Sequence, residues 1–143
     1  MYDIKVTKET FKKVEAEWRN YQQTLKEIKR LEETIINPYQ ETWQRDDNIG
    51  GGHANIIRDP TQATALQLAK HKQLDYLKQI VQAIDTVYEK LSDEYQALVK
   101  VRYWSNRKYT WDAIADQCFI SKRQAMRWRD EIIHVTIEVL GWR

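Results

Sequence analysis

Two helix starts lie eleven residues apart near the C-terminus, at Thr110 and Ser121, and they constrain this chain more than any other feature. Thr110 precedes Trp111-Asp112-Ala113-Ile114-Ala115-Asp116-Gln117. Ser121 precedes Lys122-Arg123-Gln124-Ala125-Met126-Arg127-Trp128-Arg129, and Cys118-Phe119-Ile120 separates the two runs. A Thr or Ser hydroxyl accepts from an otherwise unpaired amide in the first helical turn. Gln124, three residues after Ser121, writes a capping box. A short helix, a tight turn and a basic second helix are the layout of a helix-turn-helix. Its exposed side chains would be Lys122, Arg123, Gln124 and Arg127, the residue types that bond phosphates and base edges. Ile114 and Ala115 should face inward and Ile120 should seal the turn. Ala125, Trp128, Ile132 and Val139, at helical spacing, should form the inner stripe of the second helix. The plainer reading of the same pattern is a helical hairpin with a solvated basic face.

The rest of the chain is also helical in pattern. Residues 8 to 36 carry an apolar ladder, Phe11, Val14, Trp18, Tyr21, Leu25, Ile28, Leu31 and Ile35, whose alternating steps are those of a coiled-coil seam. We read them as one long helix capped by Thr7 and stopped at Asn37-Pro38. So narrow a seam needs a partner, either another helix of this chain or a second copy. Asp59-Pro60 opens the next helix, running to about residue 90 with an inner stripe that includes Leu66, Leu74, Leu77, Ile80, Ile84 and Val87. Ser92-Asp93-Glu94 starts a shorter helix, and Gly141 should stop the last one near Leu140. The expected architecture is all-α: long N-terminal helices, then a C-terminal helix-turn-helix bundle. It divides into 1–59 (long helix and Gly-rich linker), 60–91 (connecting helix) and 92–143 (DNA-binding domain).

Charge is concentrated where the caps are. Eight basic and only two acidic side chains fall between residues 100 and 129, although the whole chain carries a net charge of only +2. A basic segment on an acidic remainder suits a polyanion such as nucleic acid. Arg107 and Lys108, just ahead of the Thr110 cap, are placed for backbone phosphates.

The same residues bear on catalysis, metals and location. His53, His71 and His134 are scattered, and no nucleophile–base pair is evident, so an enzyme is not expected. Gly50-Gly51-Gly52 is followed by no P-loop lysine and preceded by no strand, so it reads as a linker. Asp46, Asp47 and His53 lack a fourth ligand at suitable spacing. No cofactor or metal is expected. One cysteine, Cys118, fits a reducing cytoplasm. The start of the chain lacks a signal-peptide core, and no run approaches the ~18 apolar residues of a membrane span.

Leu91 to Tyr103, Trp111 to Ala115 and Ile120 to Ala125 resemble region 4 of bacterial sigma factors. That family usually has Gly in the turn, where this chain has Phe119, which points to a longer or differently shaped turn. Asp47-Asn48-Ile49-Gly50-Gly51-Gly52, Trp104 with Thr110-Trp111-Asp112, Arg127 to Ile132 and Leu140-Gly141-Trp142 together resemble the RinA family, over residues 46 to 143. Those are phage transcriptional activators of Gram-positive hosts, related to the ArpU-type regulators. The resemblance implies a phage or prophage protein of the host cytoplasm that activates late genes by binding double-stranded promoter DNA.

On this reading Arg123, Gln124 and Arg127 reach base edges. Ser121 with its helix N-terminus, Arg107, Lys108, Thr110 and Lys122 hold the backbone. A lone helix-turn-helix binds weakly, so self-association is expected, as a dimer, and a sigma-like module also permits docking on host RNA polymerase. Two rival functions carry the same layout. One is a terminase small subunit recognising a packaging site, which would form a ring. The other is a helical oligomerisation protein that never meets nucleic acid.

Overall fold

The computed structural model describes residues 6–36 and 60–143, and all of their regular structure is α-helix. The Asn37-Pro38 stop, the triple glycine, Asp46, Asp47, His53 and the Asp59 cap lie outside the described residues. The helices are α1 (Lys8–Arg19), α2 (Tyr21–Ile36), α3 (Pro60–Lys90), α4 (Asp93–Arg102), α5 (Trp111–Cys118) and α6 (Lys122–Leu140). No helix among the described residues is long and apolar enough to cross a membrane.

Thr7 caps α1 as its hydroxyl should, accepting from the Thr10 amide at 3.1 Å. The expected single helix over 8 to 36 is two helices, broken at Asn20 (φ −92°, ψ 12°). Asn is a weak helix former because its side chain competes for the backbone. A tertiary bond acts at the same place: the Trp104 indole N–H donates to the Trp18 carbonyl at 3.0 Å, and a continuous helix would need that oxygen for its own ladder.

The described residues form two compact units. The first joins residues 6–22 to Gln79–Arg143. Its core takes Val14 and Trp18 from α1 and Ile80, Ile84 and Val87 from α3. Leu98, Val99, Ile114, Ala115, Ala125, Trp128, Ile132, Ile133 and Ile137 join it from α4, α5 and α6, and Tyr103 just past α4 completes it. The abundance of Trp and Tyr is explained here. Trp104 lies 6.0 Å from Trp18, 5.3 Å from Tyr21 and 4.9 Å from Tyr88, ring centre to ring centre. Such aromatic pairs add roughly 0.5–1.5 kcal/mol each beyond the area they bury. The fully buried Trp18 is satisfied by donating to the Thr136 hydroxyl at 3.0 Å. Tyr21 donates to Asp85; burial, then that carboxylate, pushes its phenol up to about 12.

The second unit, residues 23–36 with 60–78, is thin: Thr24, Leu31 and Leu74 are its buried side chains. Lys78 pairs with Glu32 at 3.1 Å. Leu66, expected on the inner stripe of α3, is exposed, as is Leu68; Ala63, Gln67, Lys70 and Leu74 take the covered positions. Periodicity assigned Leu66 to the wrong side because several apolar stripes fit so leucine- and alanine-rich a start. Val139 is a second correction. It sits at the expected turn of α6 but is 49% exposed, and Ile133, Thr136 and Ile137 carry the buried stripe instead. Beside Val139, α3 offers Gln79, Gln82 and Thr86 with only the small Ala83 among them, and an open cavity of about 390 Å3 remains.

Candidate nucleic-acid interface

The local geometry of 110 to 127 follows from its caps. Thr110 Oγ1 accepts from the Ala113 amide at 3.2 Å, starting α5. Ser121 Oγ accepts from the Gln124 amide at 3.1 Å, starting α6 and supplying the hydroxyl half of the capping box. Between them Phe119 adopts the left-handed conformation (φ 58°, ψ 40°), and the Ile120 amide donates back to the Ala115 carbonyl at 3.1 Å. This is the helix ending that glycine usually makes. Phe119 makes this left-handed step itself, at a steric cost of about 1–2 kcal/mol. Its ring is 93% exposed, so no packing within the described residues offsets that cost. Ala115 and Ala125, both buried, let α5 and α6 approach, and half-buried Ile120 packs against the core.

Seven of the eight side chains expected to meet nucleic acid are exposed: Arg107, Lys108, Thr110, Ser121, Lys122, Arg123 and Arg127. Lys122, Arg123 and Arg127 share the outer face of the first two turns of α6. Lys122 lies 4.0 Å from Asp112, with both side chains mostly exposed, a pairing of little energetic weight. Arg123 and Arg127 enter no ion pair among the described residues. Gln124 is half-buried. At 100° per residue it is rotated off the Lys122–Arg123 face, and Met126 occupies the outward position there, at 36% exposure. Arg107 and Lys108 lie in the stretch before α5, where the Ser105 hydroxyl donates to the Arg107 carbonyl at 2.9 Å.

The cationic face ends after those two turns. Asp130 accepts from Arg129 at 2.7 Å, and Glu131 accepts from Tyr95 at 2.5 Å. Burial, then this bond to Glu131, pushes the Tyr95 phenol up to about 12.

Two arginines of the basic segment are structural. Arg102 of α4 donates to Glu15 Oε2 at 2.8 and 3.1 Å, Arg129 of α6 at 2.9 Å, and the Tyr103 hydroxyl at 2.7 Å. The Arg102 and Arg129 side chains are each 15% exposed and that of Glu15 13%. Both guanidinium carbons approach the Trp111 ring, at 4.1 Å from Arg102 and 5.0 Å from Arg129. Burial alone would raise the Glu15 carboxyl, but bonds from Tyr103, Arg102 and Arg129 outweigh it and hold Glu15 at about 2. Charge from α1 thus ties α4, α5 and α6 together at one point. Sequence reading missed this anchor because Glu15 lies 87 and 114 positions from its arginines.

The remaining reactive types have ordinary surroundings. Cys118 is half-buried and burial pushes its thiol up, away from the thiolate a nucleophile needs. His71 is exposed, and His134 stacks edge-on against Phe11 at 5.6 Å.

Residues 11–138 match a family model described as a protein of unknown function, DUF722. No curated protein and no solved structure matches the chain.

Proposed function

The chain belongs to the DUF722 family, for which no function is described, and we propose that it is a sequence-specific, double-stranded DNA-binding transcriptional activator. The observation that carries this reading is the start of α6. Lys122, Arg123 and Arg127 stand exposed on two turns of a capped helix, held behind a short helix by a tight turn. Acids begin only at Asp130, so the polarity of the helix suits entry of its N-terminal end into the major groove, with the remainder outside. Free amides and the positive end of the helix dipole favour a phosphate beside Ser121. Arg123 and Arg127 have the forked donors that match the O6 and N7 acceptors of guanine. Lys122, Arg107 and Lys108 supply backbone contacts, and half-buried Gln124 is a flank contact at most.

The resemblance to RinA-type activators and to sigma region 4 supplies the biological part: action at phage late promoters, in the host cytoplasm, with host RNA polymerase as second partner. A single module with so few contacts has low selectivity, so the active species is a pair of copies. Exposed Leu66 and Leu68 support association through the N-terminal helices.

The test is fluorescence anisotropy on the late promoter of the encoding phage or prophage, against scrambled duplex, across a salt series. Arg123→Ala and Arg127→Ala should each cost about 1–3 kcal/mol on the promoter and relax one position. Lys108→Ala should weaken both duplexes alike and flatten the logarithmic salt slope by about 0.9. Unchanged promoter binding in both arginine variants overturns the reading. A ring of many subunits in sedimentation, with binding at a packaging site and none at the promoter, would replace it with a terminase role.

A further inference from the structure

Met126 is the one large apolar side chain turned outward in the first two turns of α6. Its neighbours in type, Ala125 and Trp128, are 0% and 8% exposed, whereas Met126 is 36% exposed. One turn before it stand Lys122 and Arg123, beside it Arg127, and one turn after it Asp130. No core requirement puts a thioether there, and a longer polar chain would be better solvated in the same place. We propose that Met126 is a specificity-determining residue that reads the C5-methyl of a thymine, next to the guanines read by Arg123 and Arg127.

This inference rests on the DNA-binding reading above and adds a ligand chemistry to it. The thymine methyl is the one apolar group that the bases present in the major groove. Methionine suits it: unbranched and polarisable, it adapts to an irregular apolar surface. Arg123 to Arg127 spans about 6 Å of helix rise, close to two base steps of about 3.4 Å. The thymine therefore lies within about two base pairs of a guanine contacted by the same helix. Arginine and methionine divide the work by chemistry, one taking paired acceptors and the other a methyl.

The experiment selects sites from a randomised duplex pool with the full-length wild type and with Met126→Ala. Each thymine of the selected wild-type site is then replaced singly by uracil, which removes the methyl and leaves the pairing edge intact. For the wild type we expect one replacement to weaken binding about fourfold, the factor that one buried methyl carries. Met126→Ala should bind thymine and uracil duplexes equally, at the wild type's uracil level, and should select sites with that position degenerate. Circular dichroism of the variant should match the wild type, since the side chain is on the surface. A wild type that binds its selected site but is indifferent to uracil at every position overturns the role of Met126 and leaves the DNA-binding reading standing. So does a Met126→Ala protein that retains the same uracil penalty. A wild type that selects no site overturns both.

Discussion

Arg102 and Arg129 differ from Arg123 and Arg127 in almost everything but side-chain type. The first pair is nearly buried, shares one carboxylate oxygen of Glu15 and flanks the Trp111 ring. The second pair is exposed and enters no ion pair among the described residues. Only two positions separate Arg127 from Arg129, but they correspond to a 200° rotation on the helix. The rotation turns one guanidinium to the protein and the other to solvent. A count of basic residues is therefore not a measure of the charge a surface offers: a quarter of the eight bases in this segment are struts.

The contrast can be broken by measuring stability and binding on the same variants. Glu15→Gln should have the largest effect, since it leaves nearly buried Arg102 with no carboxylate and Arg129 with Asp130 alone; urea unfolding should lose about 3–5 kcal/mol. A loss no larger than that of a surface variant would erase the distinction. The same carboxyl gives the contrast a pH signature. Its value in the folded chain, about 2, is below the ordinary 4.5. The stability it confers is thus complete above about 4.5 and drains away as pH falls towards 2. The gap in stability between the wild type and Glu15→Gln should close over that interval.

Arg123→Ala and Arg127→Ala come next, with the opposite division of effects. Stability should move by no more than about 0.5 kcal/mol, while promoter binding falls by about 1–3 kcal/mol. If either variant unfolds early, that arginine belongs with the struts. The smallest effect is expected at Phe119→Gly. Relief of the left-handed strain and the greater freedom of unfolded glycine oppose each other, so thermal unfolding should show a gain of no more than about 1 kcal/mol. Unchanged DNA binding in that variant would show that the exposed ring has no part in the duplex contact.

Local chemistry was legible in the sequence wherever the cause was local. Thr110, Ser121 and Gly141 bound their helices as their residue types require, and Ile114, Ala115, Ala125, Trp128 and Ile132 are buried as their spacing requires. What escaped was set at a distance. The break at Asn20 depends on an indole 86 positions from the carbonyl it holds. Val139 has the right phase, but the side of α3 that lines the cavity with it is mostly polar. Within the candidate interface, Gln124 was expected outward because of its polarity, but it is half-buried, and Met126, given no face by its spacing, takes the outward position. Residue type outweighed rotation there, and the helix obeys rotation.

The entry of α1 into the core has a practical corollary. A fragment trimmed to residues 92–143 keeps both capped helices, yet leaves Arg102 and Arg129 without their carboxylate and the Trp18 seat empty. Anyone transplanting this pair of capped helices onto another scaffold would have to bring α1 along with it.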